Sequence, residues 1–310
     1  MERLTSDQPL PAHLRGSILA LGNFDGFHLG HQAVVNRAIQ RGFHERRRVI
    51  VATFDPHPVR FFNPDLPHFY LTTLDQRERL FAHAGADAML VFRFDAELAS
   101  TAAEDFVSSM LAKQLGVAGV ITGADFTFGR GRGGNIELLR ELGANHDIQA
   151  ETVAPVVLDG APVSSSRIRH ALAAGDPATA MHLLTRPFAV EGIVEHGDAR
   201  GRTLGYPTAN LRLGHYQRPQ YGIYAVRVRI EGDERDHPGV ASFGIRPTFE
   251  PPEELLEAHL FDFEGDLYGR RIEVDLIAYL RPEAKFDNVD ALIEQIRADE
   301  VEARRLLVLA

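Results

Sequence analysis

The sequence predicts an α/β domain built on a parallel sheet, followed by a small antiparallel β-barrel and a C-terminal helix. Through about residue 185, short apolar runs alternate with stretches of helical periodicity, the pattern of a parallel sheet covered on both faces. Thr185-Arg186-Pro187 breaks this rhythm, and beyond it apolar runs follow one another with only turns between them, as in an antiparallel sheet or barrel. The last segment, from Asn288 to about Leu307, is amphipathic at helical spacing. A chain of 310 residues suits two domains, divided here as 1–185 and 186–310.

In chain order, Ile18-Leu19-Ala20-Leu21 is a buried strand and Gln32 to Gln40 the helix that follows it. Arg48 to Phe54 is a second strand, ending in the turn Asp55-Pro56-His57-Pro58. Leu74 to Ala84 is helical, and Ala88 to Phe92 a short strand. Thr101 to Leu115 reads as the clearest helix, with Thr101 and Glu104 forming a capping box, Phe106, Val107, Met110 and Leu111 a stripe, and Gly116 a stop. Ala118 to Thr122 is a strand, Gly134 to Leu142 helical, and Gln149 to Val153 extended. Asp176-Pro177 starts a helix running to about Leu184. The second domain has strands at 189–195, 223–230, 240–243, 255–263 and 271–280. Asn288 caps the last helix, whose buried side is Leu292, Ile293, Ile296, Val301 and Leu307. Ligands of parallel sheets sit at the carboxyl ends of the strands, so the turns after Leu21, Phe54 and Thr122 should gather at a site.

Composition narrows the function. The chain has 33 Lys and Arg against 43 Asp and Glu, a formal charge of −10, which argues against a nucleic-acid partner. It has no cysteine, which excludes disulfides, thiolate metal sites and a cysteine nucleophile, and suits the cytoplasm. The first sixteen residues lack the apolar core of a signal peptide, and no run approaches the length of a membrane span.

The densest signal is Gly22-Asn-Phe-Asp-Gly-Phe-His-Leu-Gly-His31, where a strand ends and a helix begins. A helix N-terminus offers unpaired N–H groups and a positive dipole end to a phosphate. Gly22, Gly26 and Gly30 let backbone approach an anion, and His28 and His31, three apart, share a helical face. Two imidazoles there can stabilise charge that grows during phosphoryl or nucleotidyl transfer. Any one of the 14 histidines alone would be an ordinary surface residue; spacing, glycines and setting together outweigh that reading. Gly123 to Gly134 is a glycine-rich basic loop, too short and single to be an RNA-binding tract in an acidic chain; Asp125 in it can accept from a nucleotide, and Arg130 and Arg132 meet phosphate or solvent. Val163-Ser-Ser-Ser-Arg-Ile-Arg169 opens another helix with hydroxyls and arginines, either a second anion site or an ordinary serine cap.

In the second domain, Thr208 and Asn210 lie two apart in Tyr206-Pro-Thr-Ala-Asn210, so in an extended segment they face the same way. Their oxygens are hard donors, suited to magnesium carrying ATP phosphates. Glu257 alternates with His259, Phe261 and Phe263 on one strand face. A carboxylate beside aromatic groups is partly desolvated, the setting of a general base, although an exposed strand glutamate reads the same way from pattern alone.

GNFDGFHLGH, TFDPHP, GADFTFGRGRGG and SSSRIR, in this order, resemble the adenylyltransferase half of the prokaryotic bifunctional riboflavin kinase/FAD synthetase family. RGRTLGYPTAN, GIRPTF and EAHLFDFEGDLYG resemble its riboflavin kinase domain, and together the likeness runs from about Gly16 to the last helix. The resemblance implies a Rossmann-like nucleotidyltransferase domain that transfers AMP from ATP to FMN, releasing pyrophosphate, and a kinase barrel that makes FMN from riboflavin and ATP. It implies that Gly22, Asn23, His28 and His31 meet the ATP phosphates, Asp125 the nucleotide, and Ser164, Ser165, Arg167 and Arg169 the departing pyrophosphate. It further implies that Thr208 and Asn210 hold magnesium and phosphate, and that Glu257 activates the ribityl 5′-hydroxyl. Two segments depart from the family pattern: Ser242-Phe243 stands where Asn-Ile is usual, and Glu250-Pro-Pro-Glu253 replaces a polar, glycine-containing turn. They leave open a monofunctional FAD synthetase with an impaired kinase domain; a rival of another class is a flavin-binding sensor without turnover.

Overall fold

The computed structural model describes residues 1–196, 206–246 and 253–309. The stretches 197–205 and 247–252, both part of motifs singled out above, lie outside the described residues. Contacts divide the chain into two compact units. The first is Met1–Pro67 with Thr72–Ser164, and the second is His68–Leu71 with Ser165–Ala310.

The first unit is a six-stranded sheet of β1 (Glu2–Thr5), β2 (Ile18–Leu21), β3 (Val49–Asp55), β4 (Ala88–Arg93), β5 (Gly119–Gly123) and β6 (Gln149–Val153), in the order β1-β4-β3-β2-β5-β6. Every pairing is parallel. The strands read as unbroken apolar runs because both faces are covered. Leu19, Leu21, Ile50, Ala52, Leu90, Phe92 and Val120 enter one core, and Ile18, Ala20, Val49, Val51, Met89 and Ile121 the other. Helices α1 (Leu29–Glu45) and α3 (Leu74–Ala84) contribute Val34, Val35, Ala38 and Phe81 to the second core. A short α2 (Pro58–Phe62) follows β3, α4 (Ala96–Ser100) follows β4, and α6 (Ile136–Ala144) precedes β6. A two-stranded hairpin of β7 (Val157–Leu158) and β8 (Ala161–Pro162) ends the unit.

The predicted helix over 101–115 forms differently. One turn of α5 (Ala103–Asp105) runs into a π-helical segment, Phe106–Leu115. Thr101 makes no capping box; it ends α4, where its hydroxyl donates to the Glu97 carbonyl. The cap of α4 is Asp95, which accepts from Leu98 N–H at 3.0 Å, so this break in the chain comes earlier than the pattern suggested. The stop at Gly116 does occur, at φ 60°.

The second unit opens with α7 (Ser165–Ala173) and α8 (Pro177–Leu184), the latter capped by Asp176 as expected. Its sheet comprises β9 (Phe188–Ile193), β10 (Ala209–Arg212), β11 (Gly222–Ile230), β12 (Asp236–Arg246), β13 (Glu253–Leu260) and β14 (Arg271–Arg281). They run antiparallel in the order β10-β13-β12-β11-β14-β9. A bridge between Glu195 and Asn210 joins the two edge strands and brings the sheet close to a closed barrel. Helix α9 (Val289–Leu309) is capped by Asn288, whose Oδ1 accepts from Ala291 N–H at 2.8 Å. It packs through Ala303 and Leu307 on Ala225, Val240 and Ile277. Val301, expected on that buried side, is 69% exposed because Ala303 and Leu307 define a stripe that excludes it. The alternation through Glu257 also ends sooner than expected: β13 stops at Leu260, and Phe261 turns into the core beneath α9.

Candidate active sites

The turns after β2, β3 and β5 lie side by side, because these strands are neighbours in the sheet. The first of them, Gly22 to His28, is tightly bent: Phe24, Gly26 and Phe27 all have positive φ. Two non-glycine residues in that region need external support. It comes from a buried polar network. Thr53 Oγ1 donates to the Asn23 carbonyl at 2.7 Å, Gly26 N–H to Thr72 Oγ1 at 2.9 Å, and Gln32 Nε2 to the Phe27 carbonyl at 3.0 Å. Beneath it Asp25 and Arg77, each 1% exposed, pair at 3.1 Å. Asp25 also accepts from Thr72 N–H, and Arg77 donates to the hydroxyls of Thr72 and Thr53. No sequence motif marks Thr72 or Arg77. The available signal was a charged residue, Arg77, at core-facing spacing between Leu74 and Phe81.

This network fixes the two histidines. His28 is the N-cap of α1, its Nδ1 accepting from His31 N–H at 3.3 Å. An accepting Nδ1 assigns the proton of the neutral ring to Nε2, making that nitrogen the donor. The rings of His28 and His31 stack with centroids 3.6 Å apart and planes 17° apart, and Phe24 meets His31 edge-on. Gly30 leaves room for the first ring: a Cβ on it would stand 3.1 Å from His28 Cε1, closer than usual, and 3.6 Å from the Val163 carbonyl. The chain just before Ser164 therefore runs beside the start of α1.

Asn23 and Gly22 are half-buried at the mouth of the turn, and Asp125 is exposed after β5. Phe128 anchors the glycine-rich loop in the core, paired through its backbone with Gly134. A Cβ on Gly134 would strike the Phe128 ring at 2.7 Å, so this glycine serves packing. Arg130 and Arg132 are exposed, Arg132 donating to Thr127. Ser164 is half-buried at the end of the first unit; Ser165, Arg167 and Arg169 open α7 in the second. Arg169 donates to the Phe69 carbonyl at 2.8 Å and lies 3.7 Å over that residue's ring.

The barrel presents a second constellation. Register places Asn210, Glu257, Ser242, Ile223 and Arg281 opposite one another across β10, β13, β12, β11 and β14, so they form one row on one face. Above the row is a cavity of about 350 Å³. Glu257, Thr208 and Ser242 give it a polar side; Ile223, Val240, Phe286, Leu292 and Ile296 give it an apolar one. Arg281 closes one edge, held by both oxygens of Asp299. A Cβ on Gly244 would overlap the Glu283 carboxylate, which also lines the cavity. Thr208 borders a second, smaller cavity of about 60 Å³ as well, with Val194, Phe263, Asp266 and Tyr268. His259 Nδ1–H donates to the Pro207 carbonyl at 2.8 Å and pins the segment carrying Thr208. Asn210 is 5% exposed, and its Oδ1 has no hydrogen-bond partner among the described residues. A buried acceptor in that state fits a cation or ligand donor. Among the described residues no group of three or more His, Cys, Asp or Glu could hold a metal ion.

Residues 10–167 match the FAD synthetase family model and residues 184–307 the riboflavin kinase model. The chain is 40% identical over 294 residues to the bifunctional riboflavin kinase/FMN adenylyltransferase of Escherichia coli strain K12, covering 95% of this chain and 94% of that protein. It is 40% identical over 297 residues to the protein of the same name from Pseudomonas fluorescens, covering 96% and 94%. The Listeria monocytogenes protein of that name is 37% identical over 291 residues, covering 93% and 91%. A crystal structure described as a macrolide-efflux protein from Streptococcus pneumoniae superposes with a TM-score of 0.88 at 32% identity, covering 98% of this chain and 99% of that one. No helix among the described residues is long and apolar enough to cross a membrane. With both catalytic family models matched in order along one chain, the protein belongs to the bifunctional riboflavin kinase/FAD synthetase family.

Proposed function

We propose that the barrel phosphorylates riboflavin to FMN with ATP and that the parallel-sheet domain adenylylates FMN to FAD, with the functional boundary at 185/186. The family matches, ending at 167 and resuming at 184, support that boundary. The observation that carries the kinase assignment is the place of Thr208 on the walls of both cavities, beside the paired Asn210 and Glu257. ATP enters from the side of the smaller cavity and riboflavin occupies the larger one, its primary hydroxyl at Glu257. Glu257 takes the hydroxyl proton as the oxygen bonds to the γ-phosphorus; the bond from that phosphorus to the β–γ bridging oxygen breaks, and ADP leaves. Thr208 and Asn210 would hold magnesium, which neutralises phosphate charge when bound.

At the other site the nucleophile is an FMN phosphate oxygen, already anionic, so alignment and charge stabilisation suffice. It attacks the α-phosphorus of ATP, the bond to the α–β bridging oxygen breaks, and pyrophosphate leaves. His28 donates through Nε2–H, His31 and Asn23 stand beside it, and Gly22 permits close approach. Asp125 accepts from the nucleotide, and Ser164, Ser165, Arg167 and Arg169 receive pyrophosphate. Phe62, 63% exposed and packed on Phe61 and Phe94 near the carboxyl ends of β3 and β4, offers an aromatic face to the flavin ring. Both reactions draw on ATP, and the compartment this reading assigns is the cytoplasm.

The test is a chromatographic time course with riboflavin, ATP and magnesium beside a reaction started from FMN. Riboflavin passing through FMN to FAD is the expected result. FAD from FMN alone would make the chain a monofunctional synthetase, and flavin binding without any product would make it a sensor.

A further inference from the structure

We propose that Ser242 reads a secondary hydroxyl of the ribityl chain and so sets the kinase site's preference for flavins carrying a polyhydroxylated side chain. The inference rests on the kinase reading above and deepens it. In the row across the barrel, Glu257 has Asn210 on one side and Ser242 on the other. On the Asn210 side stands Thr208, where the phosphates belong. Past Ser242 the row reaches Ile223 and then Arg281, and Val240, Phe286, Leu292 and Ile296 give the cavity its apolar lining. With its primary hydroxyl at Glu257 and its ring on that apolar lining, a riboflavin molecule lays its ribityl chain over Ser242. Adjacent strands are about 4.8 Å apart, a distance that the ribityl chain spans before its ring begins. Ser242 thus lies under the middle of that chain, and its hydroxyl both donates and accepts. Its neighbour Phe243 points away, fully buried against Tyr221, so the segment is held from the opposite face while Ser242 meets the cavity.

The experiment uses the full chain and two substrates: riboflavin, and a flavin whose N10 substituent is 5-hydroxypentyl, which keeps the reacting hydroxyl but lacks the others. The ratio of kcat/KM for FMN formation to kcat/KM for phosphorylation of the analogue is measured in wild type, Ser242→Ala and Ser242→Thr. Loss of one hydrogen bond predicts that Ser242→Ala lowers the riboflavin value about tenfold and leaves the analogue unchanged. Ser242→Thr, which keeps the hydroxyl on a strand tolerant of β-branching, should hold the wild-type ratio. Equal losses for both substrates in Ser242→Ala would mean that the residue only supports Glu257, and no loss would mean that it touches nothing; either overturns the proposal. Wild-type protein that binds but phosphorylates neither flavin would sink the kinase reading itself. In that case binding of the two flavins, followed by flavin fluorescence in each variant, still decides whether Ser242 discriminates between them.

Discussion

Replacing Asp25 by Asn tests whether the buried network, and not only the histidines, makes the first site. Asp25 and Arg77 are each 1% exposed and pair at 3.1 Å. Asn keeps the shape and an oxygen that can still accept from Thr72 N–H, but it removes the charge opposite a buried guanidinium. Arg77 also donates to the Thr53 and Thr72 hydroxyls and to the Thr72 carbonyl, all neutral acceptors. Breaking a buried pair from one side costs about 3–5 kcal/mol. For a unit of this size each kcal/mol moves the melting temperature roughly 2–4 °C, so the fall should be about 6–20 °C. The assay heats the protein in steps and measures both residual activities at a fixed temperature. FAD formation from FMN should be lost at the lower temperature, with FMN formation from riboflavin keeping its wild-type profile. The double variant Asp25→Asn with Arg77→Met should recover part of the loss, because the buried guanidinium that faces Asp25 is removed with its carboxylate. An unchanged profile for FAD formation, or a double variant worse than the sum of the singles, would refute the reasoning.

Three further outcomes are expected. Glu257→Ala should cut FMN formation about 10²–10⁴-fold and spare FAD formation, whereas His28→Ala should cut FAD formation about 10²–10³-fold and spare the kinase; loss of both activities from either change in a folded protein contradicts the two-site assignment. Gly30→Ala should lower kcat for FAD formation at unchanged thermal stability, since the new Cβ stands 3.1 Å from the His28 ring; full activity would mean that the ring's position is immaterial. Burial pushes the Asp275 carboxyl from an ordinary 3.8 up to about 6, against the pull of Arg229. The native state therefore holds that proton more tightly than the unfolded chain, a contribution fully present below about 3.8 and lost as pH rises through about 6. Thermal inactivation of the kinase, run between pH 4 and 7 and assayed at one pH, should show wild type gaining on Asp275→Asn as pH falls; parallel curves would show that Asp275 carries no such linkage.

Legibility in the sequence followed local pattern. The central strands of the first unit and the helix over Leu74–Ala84 were readable because apolar runs and periodicity coincide with full burial. Strand β1, at the sheet edge and largely exposed, has no apolar run to betray it; it forms because β4 offers an open parallel edge. Strand β10 is four residues long, and it carries Asn210 into register with Glu257. Motif spacing could nominate both residues but not their pairing, which depends on β10 returning across the barrel seam. The same limit hid the support of the histidine turn: Thr53, Thr72 and Arg77 lie far from His28 in sequence and meet it only through the fold.

The two sites differ in one respect that the chemistry demands. A ribityl hydroxyl must lose a proton to attack phosphorus, and the barrel sets a half-buried carboxylate, Glu257, on the cavity wall. An FMN phosphate needs no base. The carboxylate nearest in sequence to the histidines, Asp25, is correspondingly withdrawn from any substrate, buried and committed to Arg77 and Thr72. On the proposed assignment a free base beside His28 would place negative charge where two phosphate chains meet; Asp25 instead sits beneath the turn, paired with Arg77 and Thr72. On that assignment the first site stabilises charge and the second removes a proton, which is the division that consecutive phosphorylation and adenylylation of one substrate require.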